Sequence, residues 1–188
     1  MIRSRIAEPL HIDEVGIPHG SGIVGMTSCP GKKHRSTARG TWDGDLASDL
    51  ATIRAWGAEI LVSLIEPREC EARDIEGARA SMPGAFLRLQ LPIPDGSTPD
   101  AAWESSWERE APAIRSVLRR GGRVCVHCMG GLGRTGLVAA RLLVEFGMRP
   151  EEAILAVRGA RPGSIETAAQ EEYVRALLPI RGKALWSP

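Results

Sequence analysis

Val126-His127-Cys128-Met129-Gly130-Gly131-Leu132-Gly133-Arg134-Thr135-Gly136 decides the fold and most of the chemistry. Just before and into it, Arg123-Val124-Cys125-Val126-His127 is short, apolar and β-branched, as a buried strand is. Downstream, residues 133–146 carry a helical run closed by Gly147. The chain therefore leaves a strand, crosses a glycine-rich turn and enters a helix. A helix start exposes N–H groups without intrahelical partners and a partial positive charge. Gly130, Gly131 and Gly133 let successive N–H groups turn inward into a concave anion nest. Cys128 stands at its mouth, where the nest favours the thiolate, the nucleophilic form of the side chain. Arg134, after five intervening residues, folds back to grip two oxygens of an oxyanion through its planar fork. Thr135 is placed to donate its hydroxyl toward the sulfur. No Gly-Lys-Ser/Thr follows, so this is not a nucleotide-binding loop. Cys125, His127 and Cys128 crowd onto one strand with no second ligand pair, which argues against zinc. No metal and no cofactor is expected.

Outward from this stretch, strands and helices alternate. Leu46, Leu50, Ile53 and Trp56 recur at helical spacing behind Asp43 or Asp45, with Gly57 beyond the end. Residues 59–65 read as a buried strand, 67–82 as a weaker helix, and 85–91 as a strand alternating around Arg88 and Gln90. The prolines of 91–99 make a loop. Thr98 with Pro99 behind it predicts the cap and first turn of a helix whose Trp103, Trp107, Ala111, Ile114 and Leu118 face the core. Further helices are expected from Pro150 through Arg158 and from Ser164 or Glu166 to about Leu178. The alternation predicts an α/β fold with a mainly parallel central sheet flanked by helices. The first forty residues are loop-rich around one strand at 22–26. Residues 1–21 are accordingly read as an arm, 22–180 as the domain and 181–188 as a tail.

The chain has 188 residues, enough for one domain with a sizeable core. Lys+Arg number 24 against 23 Asp+Glu, a net charge of +1, which removes any global attraction to nucleic acid or an anionic membrane. No apolar run is long enough for a bilayer span. Residues 1–6 lead into Ala7-Glu8-Pro9 without the apolar centre of a signal peptide. Cys29, Cys70, Cys125 and Cys128 are therefore expected as reduced thiols of a cytoplasmic protein.

His127-Cys128, five residues, then Arg134-Thr135 resembles the signature of the cysteine-dependent protein tyrosine phosphatases, dual-specificity branch. With the intervening Met129 to Gly133, it is similar to the kinase-associated phosphatase type. Pro92-Ile93-Pro94-Asp95-Gly96-Ser97-Thr98-Pro99-Asp100 resembles that group's acid-bearing loop. Gly163-Ser164-Ile165-Glu166-Thr167, with Gln170 and Tyr173, resembles its late glutamine-bearing segment. The resemblance spans the chain from about residue 25 to the last helix. It implies a protein-tyrosine-phosphatase-like fold, with Cys128 as nucleophile and with Arg134 and the amides of Met129, Gly130, Gly131, Leu132 and Gly133 around phosphate. Asp95 becomes the general acid; Asp100, its competitor, reads better as a carboxylate favouring a helix start. His127, one residue before the nucleophile, points to the other side of the strand, so it orients the loop rather than serving as a base.

The family's water-positioning glutamine falls on Glu166, with Gln170 one turn later. Burying an unpaired carboxylate beside phosphate is costly, so Glu166 is expected to face solvent and Gln170 to position the water. Met129 and Leu132 stand where phosphoinositide phosphatases of the superfamily carry lysines, which disfavours a lipid substrate. Lys32-Lys33-His34-Arg35 reads as a solvated loop, or as a flank that draws acidic phosphopeptides. The expected activity is metal-free hydrolysis of phosphotyrosine, extending to phosphoserine and phosphothreonine, on a phosphoprotein partner through a cysteinyl-phosphate. The competing readings are a phosphatase of RNA 5′ ends or phosphoinositides, and a non-catalytic phosphate-binding module.

Overall fold

The structure, a computed structural model, describes residues 10–36, 40–43, 45–69 and 86–180, with the backbone alone at 33–36 and 40–43. Along these residues the chain forms β1 (Asp13–Gly16), β2 (Ile23–Thr27), β3 (Lys33–Ser36), β4 (Gly40–Asp43), α1 (Leu46–Ala55), β5 (Ala58–Ser63) and β6 (Leu87–Gln90). It continues through α2 (Ala101–Arg119), β7 (Arg123–His127), α3 (Gly133–Glu145), α4 (Pro150–Ala160) and α5 (Ala168–Arg175). Residues 67–69 form a turn, and the rest of the helix expected at 67–82, the thiol of Cys70, the side chains of Lys33 to Arg35 and the tail at 181–188 lie outside this description.

The main sheet has the order β1-β2-β7-β5-β6, and β3 pairs with β4 as a separate hairpin. β7 lies between β2 and β5, parallel to both, with His127 opposite Thr27 on one side and Ser63 on the other. β6 continues the parallel set beyond β5. The mainly parallel α/β architecture expected from the alternation is therefore present. Two features differ from that expectation. Asp13–Gly16 pairs antiparallel with β2, so the sheet begins inside the segment read as an arm. Its outward face is polar and only Val15 is buried, which leaves a single residue of period-two signal. The cap of α2 is Asp100 rather than Thr98: its Oδ1 accepts the Trp103 N–H at 2.8 Å. That keeps residues 91–99 free to run as a loop, and it agrees with the reading of Asp100 as a helix-start carboxylate.

Side chains alternate across the sheet. Ile60, Val62, Leu64, Val124 and Val126 face a large core shared with α2 to α5, whereas Leu61, Ile65 and Cys125 face a smaller one under α1. Burial pushes the Cys125 thiol up to about 12, so it stays protonated as a small apolar side chain. Every residue of α3 is buried, which makes it the central helix. Of its three buried charged residues, Arg141 and Glu145 are satisfied together. Glu145 accepts from Trp107 Nε1 at 2.7 Å, Arg115 at 3.0 Å and Arg141 Nε at 3.0 Å. Arg141 lies over the stacked rings of Trp103 and Trp107 and also reaches Glu104 and Tyr173. The tryptophans are thus core, as their helical spacing implied.

Candidate active site

Because β2, β7, β5 and β6 run parallel, their C-terminal ends lie on one side of the sheet and deliver four segments to one place. Backbone bonds join them: Cys29 N–H to Met129 O at 3.2 Å, Leu64 N–H to His127 O at 2.9 Å and Ile93 N–H to Leu64 O at 3.0 Å. The loop from Cys128 to Gly133 sits in the middle. Gly131 has φ +75°, and a Cβ there would stand 2.5 Å from the carbonyl of Thr27, so only glycine fits. Its N–H donates to Cys128 Sγ at 3.2 Å. From outside, Arg161 donates to Gly131 O at 2.6 Å and Gly130 O at 3.3 Å, and is itself held by Asp13 at 2.5 Å. These bonds draw the carbonyls of Gly130 and Gly131 to Arg161, while the Gly131 N–H serves the sulfur. Cys128 is 3% exposed and unpaired, and Lys32 is within electrostatic reach of it.

Arg134 is 1% exposed, and one edge of its guanidinium is fully committed. Nη1 and Nη2 donate to Glu69 at 2.6 and 2.7 Å, and Nη1 also reaches Ile93 O at 3.0 Å. Burial opposes the charge on Arg134, but its hydrogen bonds to Glu69 and the charges of Cys128 and Asp95 outweigh it and hold its pKa above the usual guanidinium value. Burial likewise opposes the charge on Glu69, and Arg134 outweighs it, keeping that carboxylate below its ordinary pKa. The opposite edge of the fork is open. Nε has no hydrogen-bond partner among the described residues, and Nη2 shares it with Asp95 Oδ1 at 2.9 Å. An anion arriving there finds two parallel N–H donors.

Asp95, on the loop after β6, is 81% exposed at its side chain apart from that contact, so its carboxyl is held over the cradle from the solvent side. His127 is buried on the far side of the strand, with Nδ1 3.3 Å from Cys128 O. Burial drives its pKa down to about 4, so the ring is neutral at pH 7. Thr135 departs from expectation. Its hydroxyl is buried without a hydrogen-bond partner among the described residues, and the sulfur is served by the Gly131 N–H instead. Met129 packs into the smaller core, and Leu132 O accepts the Gly136 N–H at 2.8 Å.

Gln170 is fully buried. Its Oε1 accepts the Thr167 N–H at 3.4 Å in a capping box and also the Glu166 N–H at 3.0 Å, and its Nε2 donates to Ser97 O at 3.2 Å. It therefore ties α5 to the loop that carries Asp95. Glu166 is exposed, as expected, but its carboxylate is not left to water alone: its Oε2 accepts the Gly133 N–H at 2.8 Å. Ile165, at φ +59°, sits in the left-handed region just before it, and its N–H reaches Leu132 O at 3.4 Å.

Among the described residues no group of three or more His, Cys, Asp or Glu is arranged to hold a metal ion. No helix among them is long and apolar enough to cross a membrane. Glu69, Arg161 and Asp13 were not legible as site residues. The one sequence signal for Glu69 is its place just after a buried strand, where parallel sheets carry their sites.

Residues 40–148 match the family described as "Polymorphic toxin system, DSP-PTPase phosphatase". This chain belongs to that family. Human cyclin-dependent kinase inhibitor 3 is 40% identical to this DSP-PTPase chain over 172 residues, 88% of the chain and 77% of the relative. The rat protein of the same name is 40% identical over 88 residues, and there the match spans 39% of the relative's length. The solved structure of kinase-associated phosphatase, with serine in place of its catalytic-site cysteine, gives a TM-score of 0.73 at 24% identity. It covers 90% of this chain and 94% of that one, which establishes the shared fold. The family and the fold implied by the loop signature both stand.

Proposed function

We propose that the protein is a metal-independent phosphatase that removes phosphate from phosphotyrosine, and from phosphoserine and phosphothreonine, in protein substrates. The observation that carries this reading is the cradle itself: a buried sulfur at the start of a glycine loop, bonded by the Gly131 N–H, with the charge of Arg134 acting on it and the Nε of that residue unpaired. Phosphate oxygens take the loop amides and the Arg134 edge, which stabilise the equatorial charge of the transition state. In taking Nη2 they displace Asp95, whose carboxyl is then released toward the leaving oxygen. Cys128 Sγ attacks phosphorus, the P–O bond to the substrate breaks, and Asp95 gives its proton to the leaving hydroxyl or phenol. Water then attacks the cysteinyl-phosphate, Asp95 takes its proton, the S–P bond breaks, and phosphate and thiolate are restored. Because the thiolate must stay reduced, the cytoplasm is the compartment this chemistry suits.

The test is turnover of an aryl phosphate and of phosphotyrosine, phosphoserine and phosphothreonine peptides, with acid quench to trap phosphate on the protein. Wild type should release phosphate and carry a trapped label on Cys128. Cys128→Ser should do neither, while Cys29→Ser turns over normally. Hydrolysis by Cys128→Ser at a rate near wild type would overturn the mechanism.

A further inference from the structure

Gly133 opens α3, so its N–H has no partner within the helix and belongs with the donors that a phosphate would use. It is already occupied. Glu166 Oε2 accepts it at 2.8 Å, and the carboxylate has no cationic partner among the described residues. The contact is built rather than casual. Gln170 Oε1 fixes the Glu166 N–H at 3.0 Å, and the left-handed turn at Ile165 aims the residue back at the loop. A Cβ on Gly133 would stand 2.5 Å from that carboxylate oxygen, so the glycine is also what admits it.

We propose that Glu166 is a built-in competitor for the phosphate cradle. Its oxygen stands where a phosphate oxygen binds, and it must leave before the site can fill. This inference rests on the reading of the Cys128 loop as the substrate's phosphate site. Two anions cannot share one N–H in a partly buried site without repulsion, so every oxyanion binds against the displacement of Glu166. A phosphoprotein offsets that cost with contacts elsewhere on its surface. Inorganic phosphate, the product, has only the cradle, so the same penalty falls on it with no further contacts to offset it. The residue thereby lowers the affinity of the empty cradle for any oxyanion, substrate and product alike, and favours release of the product phosphate.

The experiment measures the Kd of inorganic phosphate by calorimetry, and its Ki against a phosphopeptide substrate, for wild type, Glu166→Gln, Glu166→Ala and Glu172→Gln. Glutamine keeps the size and an acceptor for the Gly133 N–H but loses the charge. Alanine removes the competitor altogether. Both should bind phosphate at least about tenfold tighter than wild type, the loss of one charge-assisted contact, and KM for the phosphopeptide should fall in the same direction. A merely structural Glu166 predicts the opposite sign, because a loosened loop binds worse. Glu172→Gln removes the same charge from an exposed position on α5 and should leave Kd unchanged. Phosphate binding no tighter in either Glu166 variant, or equal tightening in Glu172→Gln, would overturn the inference and leave the phosphatase reading standing. Absence of both phosphate binding and turnover in all four proteins would overturn the two together.

Discussion

Arg134 shows how much of a functional side chain is decided by its neighbours. The guanidinium has two edges, and Glu69 takes one of them through two short bonds. What remains is a single uncommitted edge, with Nε unpaired among the described residues and Nη2 shared with Asp95. Without Glu69 the fork keeps its charge and loses its aim. Glu69→Gln should therefore lower kcat/KM by about 10²-fold, some 3 kcal/mol of transition-state stabilisation. Arg68→Ala, at an exposed neighbour paired with Glu66, should change it little. Steady-state kinetics on a phosphopeptide separates the two, and equal effects would show that Glu69 does not aim the fork. Cys128, Arg134 and Asp95 were legible because each sits in a short pattern with its own turn residues. Glu69 was not, since glutamate after a strand is ordinary and its partner lies 65 positions away.

At the scale of elements, the acid loop and α2 divide two nearby aspartates between chemistry and structure. Asp100 caps α2, whereas Asp95 lies on the exposed loop over the cradle. Asp100→Ala should cost about 1 kcal/mol in urea unfolding with kcat close to wild type. Asp95→Asn should lower kcat by roughly 10²–10⁴ with stability unchanged. A reversal of these outcomes would reassign the acid. The catalytic loop makes a similar division among its glycines. A methyl at Gly131 meets the Thr27 backbone in a left-handed conformation, whereas one at Gly130 meets nothing within 4 Å. Gly131→Ala should destabilise the protein by at least about 2 kcal/mol and abolish oxyanion binding, and Gly130→Ala should fold with near-normal stability. Thermal melts with and without phosphate distinguish them. The three glycines look alike in sequence, and it is the approach of β2 that makes one of them indispensable.

For the molecule as a whole, the buried neutral ring of His127 makes stability depend on pH. Its pKa is about 4 in the fold against 6.5 for the ordinary side chain. Between those values the unfolded chain binds a proton that the folded protein refuses, so stability is full above pH 6.5 and falls as pH drops toward 4. Unfolding free energy should decline by about 2 kcal/mol between pH 7 and pH 5. Glu69 and Glu104, whose pKa values are lowered against the opposing effect of burial by bonds to Arg134 and to Arg141 and Tyr173, add to the loss only below 4.5. Asp49, raised by burial, works in the opposite direction there. Urea titrations at several pH values check this, and His127→Gln should flatten the profile between 7 and 5. A wild-type profile already flat over that range would contradict it.

Strand, loop and helix around Cys128 could be read directly, because alternation, glycine spacing and helix closure are properties of a few adjacent residues. The same local rules marked the strand at β5, the tryptophan face of α2 and the loop bearing Asp95. They failed at β1, where three of four side chains are not core, and at the choice between Thr98 and Asp100, where two good caps stand side by side. Only the tertiary structure decided which distant side chains complete the cradle. The parallel register brings the ends of β2, β5, β6 and β7 together, and so sets Glu69 on Arg134. The antiparallel edge strand brings Asp13 to Arg161, 148 positions away, and Arg161 turns the loop carbonyls outward. After a left-handed turn at Ile165, the exposed Glu166 reaches back to the Gly133 amide. Each of these is a contact between elements, and its energy depends on distance and burial that no local pattern encodes.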